Sequence, residues 1–133
     1  MNSGYLLDTS ALAAHFLRRP GDRFVADCVR KGVALCALSC FEFAQFLKRQ
    51  GLDQSASAEV WSRYRETITA VHPVDEAVAD LAVQLRSQAS DRLPLADACI
   101  AACAARHGLV LLHSDSHYAA LPAGVEAIDI RTV

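Results

Sequence analysis

The chain has 133 residues, 53% of them hydrophobic and 21% charged, enough apolar content to exclude a disordered segment. A chain of this length buries about two-thirds of its unfolded surface and builds its own core without disulfide staples. Thirteen basic against fifteen acidic residues leave a formal charge of −2, so no global positive field holds a polyanion and any nucleic-acid contact must be local.

Tyr5-Leu6-Leu7 is a short apolar run that ends in Asp8-Thr9-Ser10, a helix-start signal, and a helix is expected from Ala11 to about Arg18. Pro20-Gly21-Asp22 punctuates it, and a second helix runs to Lys31, before Gly32. Val33 to Ala37 reads as a buried strand, and Ser39 then opens a helix that carries Phe43, Phe46 and Leu47 on one face and stops at Gly51. Another helix is expected from Ser55 to about Glu66, then a β-branched segment from Thr67 to Val74. Glu76 to Gln88 shows a 3.6-residue apolar period through Val78, Leu81, Ala82 and Leu85, and Leu95 to His107 is apolar almost all round, so that helix should be buried. Leu109 to Leu112 and Val125 to Ile130 are the last strands. Strands alternating with helices imply an α/β fold with a mostly parallel sheet. No repeat or linker divides the chain, so residues 1–133 form one domain.

The segment from Met1 to Asp8 lacks the basic start of a signal peptide. The apolar stretches Val33 to Leu47 and Leu95 to Ala105 are broken by Glu42 and Asp97, short of the ~20 apolar residues that span a bilayer. No membrane partner is therefore expected. Five cysteines, an odd number, fit a reducing cytoplasm. Cys36 with Cys40 and Cys99 with Cys103 are spaced by four, but they lie among Ala, Leu, Ile and Phe without a Cys-x-x-Cys, and are read as core residues rather than zinc ligands.

Acids fall where chemistry is expected. Ligands of open α/β sheets bind outside the carboxyl ends of the strands. Asp8 follows the first strand, and Asp115 follows the Leu109–Leu112 run after His113-Ser114. Glu42 and Asp97 interrupt apolar helices near their starts. Each also has a structural explanation: Ser39-x-x-Glu42 as a capping box, Asp8 and Asp115 as N-caps, Asp97 as a first-turn acid that favours the helix dipole. Asp97 fits that explanation least well, because a helix coated in Ala, Cys and Ile gains little from a charge on a buried face. Four acids at one sheet edge would repel, a divalent cation would resolve the repulsion, and oxygen ligands favour Mg²⁺ or Mn²⁺. Such a site does phosphoryl chemistry.

Leu6-Leu7-Asp8-Thr9-Ser10-Ala11-Leu12, Ser39-x-x-Glu42, Leu93-Pro94-Leu95-Ala96-Asp97-Ala98 and Leu111-Leu112-His113-Ser114-Asp115-Ser116-His117-Tyr118 resemble, in order and spacing, the four acidic motifs of PIN domains. The likeness is to the short VapC-type toxins of bacterial toxin–antitoxin pairs, and it runs from Tyr5 to about Ile130. It implies a PIN fold, a Mg²⁺- or Mn²⁺-dependent endoribonuclease, a homodimer and a cognate antitoxin. It implies Asp8, Glu42, Asp97 and Asp115 as the acidic cluster, with Asp8, Asp97 and Asp115 holding metal and Glu42 acting through water. Thr9 or Ser10 would lie near the scissile phosphate. His117 departs from the pattern, since many relatives carry a further acid there. It is a ligand for Mn²⁺, an RNA contact or a surface residue, and its presence weakens the case for a second metal.

Arg18-Arg19, with Arg23, Arg30-Lys31 and Lys48-Arg49, suggest an RNA-binding rim, although helix ends alone also account for them. Phe16, Phe24, Phe41, Phe43 and Phe46 are read as core or dimer-interface residues rather than base-stacking ones. Trp61 and Tyr64 form either a core pair or a partner-binding patch. A haloacid-dehalogenase-like phosphatase needs Asp-x-Asp, and here Ser10 stands at the second position; a serine hydrolase lacks its Gly-x-Ser-x-Gly. The alternative of a different class is a catalytically silent PIN-like module that binds RNA or protein.

Overall fold

In the computed structural model, which describes residues 4–133, five strands form one all-parallel sheet. They are β1 (Tyr5–Leu7), β2 (Val33–Cys36), β3 (Ile68–His72), β4 (Val110–His113) and β5 (Ala127–Asp129), in the order β3-β2-β1-β4-β5. The helices are α1 (Thr9–Phe16), α2 (Asp22–Lys31), α3 (Ala37–Arg49), α4 (Gln54–Thr67), α5 (Glu76–Gln88) and α6 (Leu95–Arg106). Two 3₁₀ turns, Ser116–Ala120 and Ile130–Thr132, follow β4 and β5. The short apolar run before Asp8 thus becomes a three-residue strand, and residues 1–3, on which part of the leader reading rests, lie outside the described residues.

The two-residue period of the strands divides the core into two layers. Leu6, Cys36 and Leu111 face α5 and α6, where Val78, Leu85, Ile100 and Ala101 close the layer. Leu7, Leu35 and Leu112 face the other way, against Leu12, Val25, Phe43 and Leu47 of α1, α2 and α3. Seven consecutive residues of α6, Ala98 to Ala104, are buried, as its all-round apolar sequence requires. Alanine and cysteine at these positions let α5 and α6 pack closely on each other and on the sheet. The cysteines divide between the layers: Cys36, Cys99 and Cys103 lie in the α5–α6 layer, while Cys28 and Cys40 pack in the other. Among the described residues, no helix is long and apolar enough to cross a membrane.

One expectation is overturned. The helix after β2 begins at Ala37 with Cys36 as its N-cap, two residues before Ser39, so Ser39-x-x-Glu42 is not a capping box. Ser39 is fully buried, its Oγ without a hydrogen-bond partner among the described residues. The buried strand Val33–Cys36 runs straight into the helix, which leaves no loop for a serine cap. Glu42 is thereby free of the helix end and turns to another element.

Gly21 joins α1 and α2 at φ +94°, with the Ile130 backbone against its α-carbon. A β-carbon there would run into the Ile130 carbonyl as well as adopt a left-handed conformation. Gly51, at φ +87°, faces open space. Gly21→Ala should therefore lower unfolding free energy by about 2 kcal/mol or more, and Gly51→Ala by about 1 kcal/mol, in urea titrations. Equal losses would show that the contact with Ile130 carries no weight.

Candidate active site

The direction of winding reverses between β1 and β4: the chain steps outward from β1 to β2 and β3, then returns to place β4 on the other side. The loops leaving β1 and β4 diverge there, which opens a crevice at the carboxyl edge of the sheet. Asp8 is the first residue beyond β1 and Asp115 the second beyond β4. Glu42 enters from the second turn of α3, and Asp97 from the first turn of α6. All four line one polar cleft of about 360 Å³, together with Thr9, Ser10, Phe41, Gln45 and Arg49.

Asp8 is buried and caps α1, its Oδ2 accepting the Ser10 backbone N–H at 2.9 Å and the Ser10 hydroxyl. Its Oδ1 accepts the Tyr118 hydroxyl at 2.6 Å. Ser10 Oγ also accepts the Ser114 N–H at 2.9 Å, so this one hydroxyl ties the β1 loop to the β4 loop. Thr9 Oγ1 donates to Glu42 Oε1 at 2.7 Å, which is where the glutamate goes once it is not a cap. Asp115 caps the 3₁₀ turn by accepting the His117 N–H at 2.9 Å, while its own N–H donates to His113 Nδ1 at 3.2 Å. His113 is buried, and burial depresses its pKa, which keeps the ring neutral with Nδ1 free to accept. The cap readings of Asp8 and Asp115 and their place in the cleft are thus compatible: capping aims each carboxylate at the crevice.

Asp97 is held differently. Its Oδ2 is buried and has no hydrogen-bond partner among the described residues. His117 Nδ1 stands 3.4 Å from that oxygen, without hydrogen-bonding alignment, and 3.0 Å from Asp115 Oδ1. Burial, then the charges of Asp8 and Asp115, push the Asp97 carboxyl up to about 7, against a smaller opposing pull from His117. One ligand atom each from Asp97, Asp115 and His117 lie within 4.8 Å of one another. An orphaned carboxylate oxygen, a second carboxylate and an imidazole on that scale fit a divalent cation, whose charge would remove the penalty on Asp97. Carboxylates suit Mg²⁺ and Mn²⁺, and the imidazole nitrogen tilts the set toward Mn²⁺.

Not every sequence candidate reaches the cleft. Arg18 and Arg19 are exposed beyond the far end of α1, about 12 Å of helix from Asp8. Arg49 of α3 is the basic residue that lines the cleft. Trp61 and Tyr64 are half-buried against the core; Tyr64 packs edge-on to Phe43 and its hydroxyl lies 2.7 Å from His15 Nδ1. Phe41 is 65% exposed and is therefore not a core residue, unlike Phe43, Phe16 and Phe46, which pack on one another. Tyr118 and His113 hold Asp8 and the β4 loop but received no role from sequence. Their only signal was membership of the segment around Asp115.

Residues 5–124 match the family model described as PIN domain. No curated protein sequence matches the chain significantly. Among solved structures, FitAcB from Neisseria gonorrhoeae is 26% identical at TM-score 0.75, the match covering 97% of this chain and 99% of that one. A toxin–antitoxin complex from Klebsiella pneumoniae is 21% identical at TM-score 0.72, covering 96% and 98%. DNA-bound VapBC from Salmonella typhimurium is 16% identical at TM-score 0.75, covering 97% and 99%. The last two likenesses concern the fold.

A carboxyl whose folded pKa lies above its unfolded value of about 4 exacts no penalty when both states are protonated, and the penalty grows as pH rises through the folded pKa. For Asp97 that window runs from about 4 to about 7. In chelator at pH 8, Asp97→Asn should raise the melting temperature by about 3–8 °C, and the gain should vanish near pH 4; a uniform shift at both pH values would rule out this electrostatic origin. Tyr118→Phe removes the donor to Asp8 Oδ1 and should lower stability by about 1–3 kcal/mol in denaturant titrations. An unchanged midpoint would mean that the hydroxyl does not hold Asp8.

Proposed function

The chain belongs to the PIN-domain family, and from that premise we propose that it is a metal-dependent endoribonuclease acting as the toxin of a toxin–antitoxin pair. The observation that carries this reading is the orphaned, charge-crowded Asp97 carboxylate at the point where Asp8, Glu42 and Asp115 also converge. A core has no use for such an arrangement. A site that takes up a cation and a phosphodiester does.

Asp97 and Asp115 would hold the ion, with His117 as a third ligand and Mn²⁺ or Mg²⁺ as the ion. Asp8 Oδ2 is saturated by Ser10, but among the described residues Oδ1 accepts only Tyr118 and keeps a lone pair for the ion or an ordered water. When bound, the cation supplies Lewis acidity, neutralising phosphate charge and acidifying water. Glu42, fixed by Thr9, is placed to accept a proton through water. Thr9 holds Glu42 and Ser10 holds Asp8, and the Ser10 hydroxyl is committed to Asp8 and Ser114, which makes Ser10 a positioning residue rather than a phosphate contact. Arg49 would balance phosphate charge at the cleft rim.

The partner and compartment proposals rest on other features. The Klebsiella structure is described as a toxin–antitoxin complex, and it supports a cognate antitoxin for this chain. An apolar groove of about 310 Å³ between α3 and α4, lined by Phe43, Leu47, Ala58 and Trp61, would suit an apolar partner segment. A homodimer and a cytoplasmic site of action complete the proposal.

Purified protein incubated with mixed cellular RNA should cut it with Mn²⁺ or Mg²⁺ and not with chelator, and Asp97→Asn should lower the rate by at least about a hundredfold. RNA that is bound but never cut, with either ion, would replace this reading with the silent binding module.

A further inference from the structure

The cleft contains one group that metal-assisted hydrolysis does not need. Phe41 lies on α3 beside Glu42, is 65% exposed, and lines the same cleft as the acids. Every other phenylalanine, tyrosine and tryptophan among the described residues is at least partly buried. A single exposed apolar residue on an open surface asks for no explanation. A phenyl ring in the wall of a cleft otherwise lined by four carboxylates, two hydroxyls, an amide and a guanidinium does. Phe41, Gln45 and Arg49 recur at four-residue intervals, so they form one stripe of α3. Over eight residues that stripe is about 12 Å long, with an aromatic face beside the acids and a cation at its far end.

This stripe has the chemistry of a single-stranded nucleic-acid track. Aromatic faces take unpaired bases by stacking, arginine takes the backbone phosphate, and an amide can bond a base edge. A duplex conceals its base faces, so the aromatic wall selects single strands, loops and bulges. Phe41→Ala at an exposed position leaves the core intact, because Phe43 and Leu47 hold α3 to the sheet from its opposite face. We propose that Phe41 is a stacking platform for an unpaired base next to the scissile phosphate, with Arg49 on a flanking phosphate. This inference rests on the ribonuclease reading above and adds the residue that seats a base beside the cleavage point.

The test uses a 15-nucleotide single strand centred on a cleavage site mapped in cellular RNA, with Mn²⁺ present. Phe41→Ala should raise KM about tenfold and change kcat less than threefold, while Phe41→Tyr keeps the wild-type KM. Replacing bases one at a time by abasic sites should reveal one position whose loss matches that of Phe41→Ala and adds nothing to it. The same sequence held in a duplex should be a poor substrate. Cleavage with an unchanged KM in Phe41→Ala, or additive losses at every abasic position, overturns the stacking role and leaves the nuclease standing. Unchanged KM with a weakened dimer in sedimentation would assign Phe41 to a protein interface and equally overturn it. Absence of any RNA cleavage removes the nuclease reading and this inference with it.

Discussion

The rest of the site is arranged around a carboxylate that the protein by itself cannot make comfortable. Asp97 is fixed in the first turn of a buried helix, its Oδ2 lacks a hydrogen-bond partner among the described residues, and Asp8 and Asp115 raise the cost of its charge. Such a group neutralises, finds a counter-charge, or destabilises the fold. His117 offers partial relief, close to Asp97 but better placed toward Asp115. A divalent cation would satisfy all three at once, which converts local instability into affinity.

What holds this tension in place is ordinary packing. The all-parallel sheet reverses its winding between β1 and β4 and so opens a crevice there. Ser10 links the two loops through Asp8 and Ser114, and Tyr118 closes on Asp8 from the other side. Burial and the nearby carboxylates keep the Tyr118 hydroxyl protonated, so it stays a donor. The small residues of α6 bring Asp97 close to the sheet edge, because alanine and cysteine leave little between helix and strands. Core and cleft are two consequences of the same helix.

The acids were legible in the sequence because each broke an apolar pattern: Asp8 and Asp115 at strand ends, Glu42 and Asp97 inside helices. The parallel sheet followed from the alternation of strands and helices. Ser39-x-x-Glu42 misled because a capping box and a helix-borne site glutamate share one spacing, and only the start of α3 at Ala37 separates them. The roles of Tyr118 and His113 were hidden, since they depend on contacts between loops distant in sequence, 110 residues apart for Tyr118 and Asp8. Phe41 was grouped with its neighbours by composition. Its position two residues from Phe43 turns it about 200° around the helix, and that angle alone carries it out of the core and into the cleft wall.

The central claim is that a cation bound among the acids would displace the proton of Asp97 into solvent. Calorimetric titration with Mn²⁺ in buffers of differing ionisation enthalpy measures both the binding and the proton released. With the Asp97 carboxyl near 7, that group should contribute about half a proton at pH 7, more at pH 6 and almost none at pH 8.5. Asp97→Asn should remove that contribution and most of the affinity. Mn²⁺ that binds with undiminished affinity to Asp97→Asn would contradict the account.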